Sequence, residues 1–146
     1  MPAPEFAVTV CVLLHRNGRW LLSVRSPGVA YAPGRLGLVG GHVDVDSPTP
    51  AVLEVTARRE VAEETGLDLA AVPLTYLESE FFVTEQGERQ VTVTFVAPAP
   101  AGAVASVTAP AELSEVGWWT RQEVAADPRS PPWLPGLIDR AAATLP

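Results

Sequence analysis

A chain of 146 residues with an apolar fraction of 47% is expected to form one soluble domain, residues 1–146, with a substantial core. Its 10 basic and 17 acidic residues leave a net charge of −7, which argues against a general nucleic-acid binder, because that task needs a basic face. All 10 basic residues are arginine. Schiff-base lysine chemistry and a lysine-dependent phosphate loop are therefore excluded, and a phosphate clamp must use arginine, metal or backbone N–H groups.

The apolar run Phe6–Leu14 is too short to span a membrane and has no basic leader. It reads as a strand, and a cytoplasmic location is the default expectation. Trp20–Val24 reads as a second strand, joined to the first by the hairpin signal Asn17-Gly18. The single cysteine, Cys11, cannot form an internal disulfide and reads as a core filler, with a reactive thiol as the alternative. Ser26–Arg35 is a Gly/Pro-rich loop, and Leu36–Val39 a short strand leading into Gly40-Gly41. Thr49-Pro50 predicts an N-cap followed by proline at the first helical position, with the helix running from Pro50 to Thr65. Leu74–Val83 and Gln90–Val96 form a second hairpin across Glu85-Gln86-Gly87-Glu88. Ala97–Ala111 is a loop, Val116–Thr120 a strand, Gln122–Ala126 a helical turn and Trp133–Leu145 a final helix. The order β-β-β-α-β-β-β-α predicts an α+β fold with a mixed sheet between helices.

The most informative stretch is Arg59–Leu67, R-E-V-A-E-E-T-G-L. It sets Glu60, Glu63 and Glu64 at i, i+3 and i+4, so all three project from one arc of a helix. Gly66 stands where a helix commonly stops. The acids therefore crowd the last turn, where the helix dipole disfavours negative charge and like charges repel. A bound divalent cation would turn that crowding into an asset, since hard cations take carboxylate oxygens. A plain solvated acidic face is the competing reading.

Together with Leu38-Val39-Gly40-Gly41-His42, this stretch resembles the signature of the Nudix hydrolases, which are MutT-like proteins. Gly41 opens the motif, and Arg59, Glu60, Val61, Glu63, Glu64, Gly66 and Leu67 fill the fixed places of its second half. The resemblance implies an α/β/α sandwich and Mg²⁺- or Mn²⁺-dependent hydrolysis of a phosphoanhydride in a nucleoside diphosphate linked to another moiety. It implies that Glu63 and Glu64 are metal ligands and that Glu60 is either a further ligand or the general base, so that Glu60 and Glu63 are the candidate catalytic acids. The carbonyl of Gly40 would complete the metal shell, and Arg59 would pair with a neighbouring glutamate, Glu63 being its i, i+4 partner. Some relatives supply one more acid before the last strand; Glu112 fits that place better than Glu115. Arg25, at the end of the second strand, and Arg35, in the next loop, are the candidate phosphate-binding arginines. Tyr31, Trp118, Trp119 and Trp133 are of a type that can stack on a nucleobase, although such residues are more often core or helix anchors. His42 reads as a loop residue. A small nucleotide-type molecule is the expected partner, with neither nucleic acid nor membrane; a homodimer is compatible with the sequence but not demanded by it.

The chain departs from the pattern between Gly41 and Arg59, where it is four residues longer, with the extra length in Val45–Pro50. The family's isolated glutamate is also missing: Ser47 or Ala51 occupies its place, depending on the direction of counting, and Glu54 is out of register. These departures motivate the alternative of a nucleotide-binding or regulatory module with impaired catalysis.

Overall fold

A computed structural model describes residues 1–146. The elements, in order, are β1 (Ala7–Arg16), β2 (Arg19–Arg25), β3 (Leu36–Gly37), β4 (Val39–His42), α1 (Val52–Thr65), β5 (Thr75–Val83), β6 (Arg89–Pro98), β7 (Leu113–Thr120), α2 (Arg121–Ala126) and α3 (Leu134–Ala142). They build one seven-stranded mixed sheet. β1 and β6 run parallel from Ala7↔Gln90 to His15↔Pro98, while the other pairings are antiparallel.

The two-residue turn between β1 and β2 takes left-handed geometry at both positions, Asn17 at φ 52° and Gly18 at φ 73°, as a tight hairpin of this twist requires. The two strands pair only at His15↔Trp20 and Arg16↔Arg19 and then part. β4 takes up the freed edge of β1, from Thr9↔His42 to Val12↔Val39, while β3 and β7 pair with β2. The segment expected as one strand, Leu36–Val39, is thus two. Gly37 faces Ser23 of β2 and Val39 faces Val12 of β1, with Leu38 as the crossing point.

Alternation along β1 separates two apolar layers. Val10, Val12 and Leu14 pack with Ala57 and Val61 of α1, whereas Leu13 packs with Val124 of α2 and Leu137, Ile138 and Ala141 of α3. The sheet therefore lies between helices as expected. α1 brings few large apolar groups to this contact, so polar links matter. Arg58 donates to the carbonyls of Leu69 (3.1 Å) and Val72 (2.8 Å), and hydrogen bonds to a charged group contribute about 1.5–3 kcal/mol each.

The start of α1 corrects the sequence reading. Thr49 does not cap it: its hydroxyl donates to the carbonyl of Ser47, and the N-cap is Ala51, left-handed at φ 50° and without a side-chain cap. The longer Val45–Pro50 segment closes on itself there and delays the helix to Val52. The C-terminal end is as expected, with Gly66 at φ 75° donating to the carbonyl of Ala62. The final helix is shorter than expected, starting at Leu134 rather than Trp133 and ending at Ala142. No helix is long and apolar enough to cross a membrane.

Candidate active site

The last two turns of α1, strand β4 and the segment before β7 meet at one place. Oxygens of Glu60, Glu64 and Glu112 all lie within 4.8 Å of one another. Glu60 and Glu64 come together because residues four apart stack on one helix face. Glu112 is brought in by the loop before β7. Ser106 and Thr108 donate backbone N–H groups to the carbonyls of Thr65 and Glu64, at 3.1 Å each, and the Thr108 hydroxyl donates to the carbonyl of Glu63. These carbonyls belong to the last turn of α1, which a helix cannot satisfy internally. At the loop's other end the Ser26 N–H donates to the Glu112 carbonyl (2.9 Å), and the Ser26 hydroxyl to the carbonyl of Pro110 (2.9 Å). The loop thus joins α1 to the end of β2 and sets Glu112 between them.

Gly40 and Gly41 press against this cluster from β4. The Gly40 N–H donates to Glu64 at 3.0 Å. A Cβ at Gly41 would overlap the Glu60 carboxyl group, and one at Gly40 would overlap the Val10 carbonyl of β1. Close approach rather than turn geometry favours glycine at both positions, against fixed backbone at Gly40 and against the movable end of Glu60 at Gly41.

Glu64 is only 3% exposed, and its carboxyl is pushed up to about 8. Burial is the main cause, with Glu112 and Glu60 adding to it, and the Gly40 N–H and the charge of Arg25 opposing it. Glu60 is also raised, again chiefly by burial, against the hydrogen bond from Arg59. Beneath the cluster, burial pushes the Cys11 thiol up to about 12, with Glu64 adding to the shift, so Cys11 is a poor nucleophile.

Glu63 stands apart. Its side chain is 58% exposed and rests 3.7 Å from Arg59, outside the group of three. Arg59 makes a shorter pair with Glu60, 3.0 Å, and donates to the carbonyls of His42 (3.1 Å) and Asp44 (3.5 Å). It therefore ties α1 to the lengthened loop, and it does so without the missing glutamate. Glu115 lies elsewhere, paired with Arg129 at 3.0 Å. His42 ends β4, exposed, 3.4 Å from the Thr9 hydroxyl.

Arg25 reaches toward the acids from β2: its charge is felt at both Glu64 and Cys11, and its Nε donates to the carbonyl of Tyr31 (2.6 Å). Arg35 is exposed, and its backbone holds the loop: its carbonyl accepts from the Arg25 N–H (2.9 Å) and its N–H donates to the Ala32 carbonyl (3.2 Å). Of the aromatic candidates, Trp119 is buried in the α3-side layer, Trp118 lies under Arg16, and Trp133 is the exposed residue before α3. Tyr31 stacks on Phe82, a residue that the sequence reading overlooked. Thr108 and Ser106 were likewise unsignalled, since nothing in a Pro/Ala/Gly-rich stretch says which polar residues will meet a helix end.

A family model described as NUDIX domain matches residues 4–140. A MutT Nudix hydrolase from Burkholderia pseudomallei is 26% identical with a TM-score of 0.74, the match covering 97% of this chain and all 100% of the other. The NUDIX domain of Shewanella oneidensis NrtR, solved with ADP ribose, is 25% identical with a TM-score of 0.74, over 99% and 91% of the two chains. A Caenorhabditis elegans Ap4A hydrolase shares the fold at 17% identity and a TM-score of 0.69, over 94% of each chain. A sequence search of curated proteins finds no match. The chain belongs to the NUDIX family and is a Nudix hydrolase.

Proposed function

We propose that this chain hydrolyses a phosphoanhydride bond in a nucleoside diphosphate linked to another group, with Mg²⁺ or Mn²⁺ held by Glu60, Glu64, Glu112 and the carbonyl of Gly40. The observation that carries this reading is the meeting of three carboxylates within 4.8 Å, one of them buried beside a single backbone N–H. The donor set fits such an ion. Hard divalent cations take oxygen ligands at about 2.0–2.6 Å, so ligand atoms on opposite sides of one lie roughly 4–5 Å apart. Without a cation, burial first and the neighbouring carboxylates second disfavour charge on Glu64, and its raised value expresses both costs. The ADP ribose bound to one structural neighbour is of the proposed substrate class.

When bound, the cation would neutralise phosphate charge and make a nearby water more acidic. The remaining work falls to the chain. Glu63, outside the cluster yet adjacent to Glu64 in sequence and one helical turn from Glu60, takes the proton of the attacking water. Arg59 holds Glu60 and steadies Glu63 from the other side. Arg25 binds a phosphate oxygen between the acids and the Tyr31 loop, with Arg35 on the outer side of that loop.

The test is a product analysis across ADP ribose, nucleoside triphosphates, sugar nucleotides and dinucleoside polyphosphates, with Mg²⁺, with Mn²⁺ and with chelator. Turnover of at least one class that chelator abolishes is expected. Absence of turnover throughout, with either metal, would refute the proposal.

A further inference from the structure

Two aromatic rings from distant parts of the chain meet at the β5 edge of the sheet. Tyr31, in the loop after β2, stacks on Phe82 near the end of β5, with ring centres 6.5 Å apart and planes 29° from parallel. This pair does not belong to either apolar core layer, and Tyr31 is 52% exposed. Half of Tyr31 thus stays in water, open to a second flat group.

Its position is set by the same residue that faces the acids. Arg25 donates to the Tyr31 carbonyl, and its guanidinium carbon lies 5.7 Å from the centre of the Tyr31 ring. Ala32 at φ 46° and Gly34 at φ 73° turn the chain back after Tyr31, and the Gly34 N–H donates to the Arg25 carbonyl (2.9 Å). The loop is thereby clamped at both ends of Arg25. These groups are linked in order: the charge of Arg25 bears on Glu64, Arg25 holds Tyr31, and Tyr31 stacks on Phe82, so acids, a positive charge and flat rings follow one another. That order matches the order of groups in a nucleoside diphosphate, whose phosphates are separated from a planar base by one sugar.

We infer that Tyr31 and Phe82 form the nucleobase subsite, so that the preferred substrate carries a stacked base and pyrophosphate compounds lacking one bind poorly. The inference rests on the phosphate and metal reading given above. Base stacking on aromatic side chains is sequence-tolerant, so this pair would set the requirement for a base rather than choose among bases.

Calorimetry with Ca²⁺ in place of a catalytic cation tests it, using ADP and inorganic pyrophosphate as probes against the unaltered chain, Tyr31→Leu, Phe82→Leu and Phe82→Tyr. Each leucine variant is expected to weaken ADP by roughly tenfold or more, the range for loss of one base–aromatic stack, with pyrophosphate unchanged and Phe82→Tyr near the original affinity. Unchanged ADP affinity in both leucine variants would overturn the inference. So would equal weakening of ADP and pyrophosphate, which would make the rings a brace for Arg25. If, with metal present, ADP binds the unaltered chain no more tightly than adenosine does, the phosphate reading itself fails. Adenosine binding and its loss in the leucine variants would then decide the aromatic subsite separately.

Discussion

Replacing Glu64 by glutamine gives the sharpest test of the acidic cluster, because the change keeps the shape and removes only the charge. The amide oxygen can still accept from the Gly40 N–H. Burial, with the neighbouring acids, pushes the Glu64 carboxyl from the ordinary 4.5 up to about 8. A group whose folded value is raised binds its proton more tightly in the folded chain, so its ionisation removes stability as pH rises from about 4.5 through 8. At 1.36 kcal/mol per pH unit, that interval corresponds to about 5 kcal/mol as an upper bound, and water entry and side-chain relaxation reduce it to roughly half. The glutamine chain should therefore match the original near the lower end of the interval and melt progressively higher as pH rises. For a chain of this size the gap should reach about 5–10 °C near pH 9. Saturating Mg²⁺ should reverse the order at high pH, raising the melting temperature of the original chain and leaving the variant unmoved, because only a site that binds the ion is stabilised by it. Thermal melts from about pH 5 to 9, with and without Mg²⁺, measure both effects. A gap that does not change with pH, or a variant that responds to Mg²⁺ like the original, would refute the reasoning.

Glu63→Gln should separate chemistry from metal binding: the Mg²⁺-induced rise in melting temperature persists, while kcat falls by about 10²–10⁴, the usual contribution of a general base. Loss of the Mg²⁺ response in that variant would instead make Glu63 a ligand. Gly41→Ala should push Glu60 aside and weaken Mg²⁺ binding measured by calorimetry, whereas Gly40→Ala, whose Cβ meets backbone of β1, should unfold the chain at markedly lower denaturant. Thr108→Val removes the hydroxyl that serves the Glu63 carbonyl and should cost about 1 kcal/mol in urea unfolding, together with a weaker Mg²⁺ response because Glu112 is less firmly held. Thr120→Ala removes the capping box of α2, far from the acids, and should cost about 1 kcal/mol with kcat/KM unchanged.

The acidic cluster was legible where residue type and short spacing decide geometry. Glu60 and Glu64, four apart, come together as helical stacking dictates, and Gly66 ends α1 where its φ of 75° suits glycine. Glu63 shows the limit of the same argument. At about 100° per residue it lies roughly 60° to one side of Glu60 while Glu64 lies roughly 40° to the other, so one arc holds both buried and exposed positions. Which side is buried depends on the sheet, and the sheet is set by pairings such as Gly40↔Cys11 and Gly41↔Val10 that span some thirty residues. The mixed sheet between helices followed from element order, but the splitting of Leu36–Val39 did not, because β1 and β2 part only after the hairpin is built. Thr49-Pro50 carried a valid start signal for a helix, yet the lengthened loop turned it to a local bond with Ser47. The stack of Tyr31 on Phe82 joins residues in different elements, and no periodicity reports such a contact.

The bonds from Ser106 and Thr108 to the end of α1 link two events in time. During synthesis the helix with its glutamates leaves the ribosome well before the segment that carries Glu112. Until that later segment emerges and docks, the helix end keeps bare carbonyls and the acidic cluster lacks its third member. A half-made chain thus lacks the complete acidic cluster, which forms only once the C-terminal portion has closed on the helix.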